Sequence, residues 1–175
     1  MFGPIRVRLG AVADISRGKR VVRKELSLDN GYRVYQNSLT ALGYYEQFNT
    51  PANTTFIISA GAAGEIGFSD EKFWKADDVW TLETDSIDQR FLYYFLLNKK
   101  AQIKGQVRKA SVPRLSKLSV ENLIVNLPSL SEQERIVSIL DKFDTLTSDL
   151  TQGLPLEIAQ RQQQYEYFRD QLLRF

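Results

Sequence analysis

The side chains best equipped for chemistry in this sequence are hydrogen-bond donors and cations. Gln36-Asn37 forms one group, and Gln106, Arg108, Lys109, Ser111 and Arg114 crowd into another. At loop tips, Arg, Lys, Asn and Gln can read base edges in the major groove, where each base pair shows its own donor and acceptor pattern. Neighbouring Lys and Arg neutralise phosphates and release counterions whatever the base sequence. Tyr44, Tyr45 and Trp74, the last beside Lys75, add rings that either pack on sugar or an unstacked base or belong to the core.

Most catalytic chemistry lacks its residues. His and Cys are both absent, which excludes disulfides, Cys/His zinc sites and any Cys- or His-based nucleophile arrangement. Gly61-x-x-Gly64-x-x-Gly67 resembles a phosphate loop only in spacing. No Lys-Ser or Lys-Thr follows, and the setting is strand–turn–strand, without helix N-terminal amides to cradle a phosphate. A tight hairpin is the better account. No glycine-rich motif for S-adenosylmethionine and no Asn-Pro-Pro-Tyr-like tetrapeptide is present. Asp77-Asp78 with Glu83 or Asp85 could hold magnesium in a small nuclease, but no Glu-x-Lys partner follows at a fitting spacing. Solvated loop acids explain them better, so neither a metal nor a cofactor is expected.

Charge is polarised along the chain. Arg6, Arg8, Arg17, Lys19, Arg20, Arg23 and Lys24 oppose only Asp14, and Lys99, Lys100, Lys104, Arg108, Lys109, Arg114 and Lys117 run without an acid. Acids collect from Glu65 to Asp88 and along the C-terminal segment. The net charge of +2 is too small to argue for nucleic acid by itself. Its distribution suits an anionic partner on one face, unless the two basic stretches lie on opposite sides as solvated loops. No apolar run approaches a membrane span and no apolar leader is present, so a soluble, cytoplasmic chain is expected.

The elements that must position these residues change type near Pro128. Before it lie short strand-prone segments: Ile5 onward (with Leu9, Val12 and Ile15 alternatively one helical turn), Tyr32–Tyr35, 42–45, 54–59, 66–68, Phe73–Lys75, 79–82 and 123–127. Ser16 to Arg20 reads as a turn with exposed basic tips. One helix spans about 87–100, opened by a Ser86-x-x-Gln89 cap signal, and 105–117 reads as a basic loop. Strands around a helix suggest an α+β body.

After Pro128, Ser131 and Glu134 have capping-box spacing, which places a helix over 132–152. Ile136, Ile139, Leu140, Phe143, Leu146 and Leu150 make one apolar stripe. Gly153-Leu154-Pro155 interrupts it, and Ile158, Tyr165, Phe168, Leu172 and Phe175 resume it in another phase. Such a coiled-coil-like arm either folds back on its own domain or pairs with another helix.

Five blocks, in this order, resemble the specificity subunit of type I restriction–modification systems over essentially the whole chain. They are Leu9-Gly10-x-Val12-Ala13-Asp14-Ile15-x-x-Gly18-Lys19, the Gly61–Gly67 run, Ser111-Val112-Pro113-Arg114-Leu115-Ser116, Leu127-Pro128-x-Leu130-x-Glu132-Gln133-x-x-Ile136-Val137-x-Ile139-Leu140-Asp141, and the stretch from Gln163 to Leu173. The resemblance implies a non-catalytic target-recognition domain over 1–128, then a helical spacer and docking region over 129–175. It implies double-stranded DNA, a methyltransferase subunit and a restriction/translocase subunit as partners. Family members normally carry two such units; this chain has one and no internal repeat. A natural half-subunit working as a homodimer, or a fragment, would account for that, and the dimer implies a bipartite, palindromic target. On this reading Arg17, Lys19, Arg20, Lys104, Lys109 and Lys117 contact phosphates. Gln36, Asn37, Lys75, Arg108, Ser111 and Arg114 face bases. Ile136, Leu140, Phe143, Leu150, Ile158, Tyr165, Phe168 and Leu172 form the dimer and docking stripe.

Overall fold

The structure, a computed structural model, describes residues 5–150 and 155–174, with side chains described for 5–147 and 161–174. Among these residues the order is β1 (Ile5–Arg8), β2 (Asp14–Arg17), β3 (Tyr32–Tyr35), β4 (Gly43–Tyr45), β5 (Thr54–Ile58), β6 (Ile66–Ser69), β7 (Phe73–Lys75), β8 (Val79–Glu83), α1 (Gln89–Asn98), α2 (Lys100–Gly105), α3 (Lys117–Glu121), β9 (Ile124–Leu127), α4 (Leu130–Leu150) and α5 (Pro155–Leu172). This is the expected α+β body with a helical C-terminal part. The first segment is strand with a single 3-10 turn at Leu9–Ala11 between β1 and β2; of the residues in the helical alternative, only Leu9 lies in that turn, and Ile15 lies in β2.

The β-branched run of β5 is buried along its whole length, as befits a central strand covered on both faces. It pairs antiparallel with β6 and β8, and β2 closes the far edge to give the order β2-β8-β5-β6. A second sheet runs β4-β3-β7, with β3 and β7 parallel. β1 pairs with β9, joining the two ends of the β-rich part. Between the first two sheets, Tyr35, Phe56 and Phe73 pack with ring centroids 4.8–5.4 Å apart.

The larger core lies under α1. Phe91, Leu92, Tyr94, Phe95 and Leu96 meet Leu9, Ile57, Ile66 and Leu82, and the same cluster takes in Ile136, Leu140 and Tyr165. The C-terminal helices thus fold back on their own domain. Gln133, fully buried, anchors the start of α4. Its oxygen accepts the Asp88 amide at 2.8 Å, and its nitrogen donates to the carbonyls of Ser86 (3.1 Å) and Pro128 (3.0 Å). About two turns further along α4, the Tyr94 hydroxyl lies 2.5 Å from an Asp141 oxygen and 2.7 Å from an Asp144 oxygen, with one proton to donate between them, and Arg90 Nε donates to Asp141 at 2.8 Å. Burial and these two carboxylates push the Tyr94 pKa up, so the hydroxyl keeps its proton and remains a donor. Phe143 stacks on Phe168 at 5.8 Å, and the Asn98 amide donates to Asp170 on α5 at 2.7 Å.

Both cap expectations need correction. α1 is capped by Asp88, whose carboxylate accepts the amides of Arg90 and Phe91, while the Ser86 carbonyl is taken by Gln133. An ionised carboxylate next to the first turn is the stronger acceptor for the amides there. α4 begins at Leu130, with the Ser129 carbonyl accepting the amides of Glu132 and Gln133. Ser131 is already inside the helix, its hydroxyl 3.1 Å from that of Ser129. The short α2 and α3 flank the expected 105–117 loop, each sharing one residue with it, at positions to which the sequence assigns no separate helix; runs of five or six residues carry too little periodic signal. No helix among the described residues is long and apolar enough to cross a membrane.

Candidate nucleic-acid interface

Three segments far apart in sequence meet at one end of the sheets. The turn after β5 runs through Gly61, whose φ of +82° suits glycine. A Cβ there would lie 2.8 Å from the Asn37 carbonyl oxygen, so glycine also permits the approach. Ala62 N–H donates to the Asn37 carbonyl at 2.9 Å, and Gly61 N–H donates to the Pro113 carbonyl at 3.1 Å. The expected basic loop after α2 is a small hairpin: Arg108 and Arg114 exchange main-chain hydrogen bonds of 2.8 and 3.2 Å, leaving residues 109–113 as its tip. Leu115 N–H then donates to the Ser59 carbonyl at 2.8 Å. Asn37, Arg108, Lys109, Ser111 and Arg114 are exposed on this face, and Gln36 is half-buried beside it.

The first basic stretch is tied to the same end. Lys19 N–H donates to the Lys75 carbonyl and Gly18 N–H to the Val79 carbonyl. A Cβ on Gly18 would sit 2.2 Å from the Lys75 oxygen, so only glycine fits this crossing. Asp78 in the adjoining turn accepts from Ser59 N–H through its carbonyl at 2.7 Å. Main-chain bonds therefore link Lys19 through 75–79 to Ser59 and on to the Arg108–Arg114 hairpin. The Lys19 segment and the hairpin are thus tied to the same sheet, while Arg6 and Arg8 lie on β1 and Lys117 on α3.

The candidate side chains are not equally available. Lys19, Arg20 and Lys109 are exposed. Arg17 lies at the end of β2, not at a turn tip, and its Nε donates to the Asp77 carbonyl at 2.6 Å. Lys117 opens α3 and pairs with Glu121 at 3.3 Å. Lys104 pairs with Glu65 at 2.5 Å. Lys75 requires the firmest correction. It is buried, and its ammonium donates to Ser16 (2.9 Å) and Thr81 (2.5 Å), with Glu83 at 3.9 Å. Burial depresses its pKa, partly offset by Glu83, and its side chain is out of reach of a base. Because β7 alternates, the less buried neighbour is Trp74, itself half-buried, and its ring is engaged: it meets Tyr45 edge-on at 4.8 Å and donates from Nε1 to the Lys19 carbonyl at 2.8 Å. Trp74 thus holds the basic segment in place.

In the stripe assigned to dimerisation and docking, Ile136 and Leu140 are fully buried and Tyr165 nearly so. Phe143 and Leu172 are partly buried against the same core. Phe168 remains 43% exposed. Leu150 and Ile158 lie outside the residues whose side chains are described. Asp77-Asp78 and Glu83 sit at opposite ends of β8, which at about 3.3 Å per residue holds them more than roughly 10 Å apart. Glu83 faces Lys75 and Asp77 faces Arg17. That separation disfavours a shared magnesium site, and no group of three or more metal-binding side chains occurs among the described residues. Glu65 is the site residue that sequence reasoning missed. Its signal was present as a single acid between glycines in an otherwise uncharged turn.

The chain is similar in sequence and fold to known proteins. The family described as type I restriction modification DNA specificity domain matches residues 6–160. A type I restriction enzyme specificity subunit from Haemophilus influenzae is 31% identical over 188 residues, covering 97% of this chain and 48% of that protein. A type I restriction enzyme specificity subunit from Escherichia coli is 40% identical over 93 residues, 52% of this chain and 23% of that protein. The crystal structure of the type I restriction-modification S subunit from M. genitalium superposes with a TM-score of 0.75 at 20% identity, over 85% of this chain and 41% of that one. This chain spans less than half the length of each of these relatives. It belongs to the type I restriction modification DNA specificity domain family.

Proposed function

We propose that this chain is a non-catalytic, sequence-reading specificity subunit that directs methyltransferase and restriction subunits of a type I restriction–modification complex to double-stranded DNA. The observation that carries this reading is the convergence of the Asn37 loop, the Gly61 turn and the Arg108–Arg114 hairpin on one face, beside the Lys19–Arg20 segment. Residues 1–128 serve as the recognition domain and 129–175 as the spacer and docking region. Lys19, Arg20 and Lys109 contact phosphates, and Asn37, Arg108, Ser111 and Arg114 face bases. The complex acts in the cytoplasm.

A single recognition unit reads one half-site, so two copies related by a two-fold axis would read a spaced palindrome. Since Ile136, Leu140 and Tyr165 are already closed within the chain, a dimer through the C-terminal helices either exchanges α5 between the copies or uses apolar side chains still exposed there, Leu146, Tyr167 and Phe168. Modified-base sequencing of DNA from cells expressing this chain with its cognate methyltransferase subunit, against cells lacking the chain, tests the proposal. A new spaced palindrome supports the specificity role and the dimer. An asymmetric motif supports the role with a different second half. No new motif, with both proteins soluble, refutes it.

A further inference from the structure

The loop between β5 and β6 carries one carboxylate, and that carboxylate holds two lysines of α2. Glu65 accepts from Lys100 Nζ at 2.7 Å and from Lys104 Nζ at 2.5 Å. Its side chain is 23% exposed, against 37% and 48% for the lysines, so the cations lean in to a sheltered acid. The donation from Lys100, then that from Lys104, keeps the carboxyl below its usual range and ionised. The backbone around it is set: Ile58 N–H donates to the Glu65 carbonyl, and Glu65 N–H to that of Ala62, whose own amide reaches Asn37. α2 leads directly into the Arg108–Arg114 hairpin. Two cations at the border of the proposed DNA face are thus held by one acid of the same face, which cancels one of their two charges. An exposed ion pair adds little to stability. Freeing two lysines to meet phosphates, by contrast, raises sequence-blind DNA affinity and its salt dependence substantially.

We propose that Glu65 is a charge-masking residue that withholds Lys100 and Lys104 from phosphates, lowering affinity for non-cognate DNA and so sharpening discrimination. This rests on the DNA-reading role proposed above. The test uses the full chain with its methyltransferase subunit. Binding is measured across a salt series to a duplex carrying the methylated motif and to one lacking it, for the wild type, Glu65→Gln, Lys100→Met/Lys104→Met and the triple variant.

Glu65→Gln is expected to steepen the log–log salt slope on the non-cognate duplex by up to about 1.8. That deepens the affinity loss between about 50 and about 200 mM salt by roughly tenfold. Because Lys100→Met/Lys104→Met leaves Glu65 unpaired, the control is made within that background, where adding Glu65→Gln (the triple variant) should steepen the slope far less than it does in the wild type. An unchanged slope for Glu65→Gln overturns the proposal, as does an equal steepening when Glu65→Gln is added to the double lysine variant, since the effect would then not pass through the lysines. Equal weakening on both duplexes also overturns it, by showing Glu65 to be purely structural. If the wild type distinguishes neither duplex, the DNA-reading role itself fails. If it discriminates and Glu65→Gln matches it, only the masking role fails.

Discussion

Replacing Gln133 with leucine keeps the bulk and removes the polar group that joins α4 to the recognition domain. Gln133 is fully buried and makes hydrogen bonds to the Asp88 amide and the Ser86 and Pro128 carbonyls. Each such bond contributes about 1 kcal/mol net, and a buried group left without a partner costs about 1–3 kcal/mol. Ser86 is exposed and Asp88 and Pro128 are only half-buried, so water partly re-solvates them and the low end applies. The extra apolar burial of leucine offsets about 1 kcal/mol. The net loss should be about 3 kcal/mol, or roughly 6–12 °C in Tm for a chain of this size. Urea unfolding followed by far-UV circular dichroism measures it, with an unchanged m-value showing that the folded state stays compact. A loss below about 1 kcal/mol would refute the idea that Gln133 anchors the arm. Gln133→Glu adds a second check. The two carbonyls repel a carboxylate, so the introduced carboxyl has its pKa raised in the folded state. The native state then binds more protons than the unfolded one, and stability should fall as pH rises above about 4.3.

Lys75 supplies a pH prediction of opposite form. Burial lowers its folded pKa below the ordinary 10.5, so between the two values the unfolded chain binds more protons and stability rises with pH. Lys75→Met should remove that rise in unfolding titrations and leave the methylated motif unchanged; an altered motif would return Lys75 to the reading surface. Gly18→Ala forces a Cβ onto the Lys75 carbonyl and should cost about 2–3 kcal/mol in the same unfolding assay. Arg114→Ala should weaken binding to the cognate duplex by about 1–3 kcal/mol and relax the motif at one position. Lys109→Ala should instead weaken all duplexes alike and reduce the salt slope by about 0.9. Equal behaviour of these two variants in binding titrations would undo the division between base and phosphate contacts.

The contrast between Lys75 and Trp74 shows why the site was only half legible. Phe73–Lys75 announces a strand by its composition, but alternation alone does not say which face the neighbouring sheet covers. Pairing with β3 and the approach of Gly18 decide that Lys75 points inward. Likewise, the stripe of Ile136, Leu140 and Tyr165 shows that a helix needs an apolar partner, and only packing against α1 shows that the partner is the same chain. Capping was misread for a related reason. Ser86 and Ser131 have the right spacing, but Asp88 and the Ser129 carbonyl take the first-turn amides.

What local sequence determines here is element type: β-branched runs such as Thr54–Ile58 make strands, the glycines of 61–67 make a turn, and the apolar stripe after Pro128 makes a helix. These follow from backbone preference and periodicity over a few residues. The residue types that could meet DNA were also visible, as were the blocks that resemble the specificity family. Tertiary structure decided which of those residues share a face. Asn37, Gly61 and Pro113 are joined by main-chain hydrogen bonds across long sequence separations, and no periodic pattern encodes such pairings. It also decided which charges remain unneutralised, because Lys104 meets Glu65, Lys117 meets Glu121 and Lys75 is buried, while Lys109 stays exposed. The physical reason is that charge availability depends on distance in space, which folding sets through packing between segments remote in the chain.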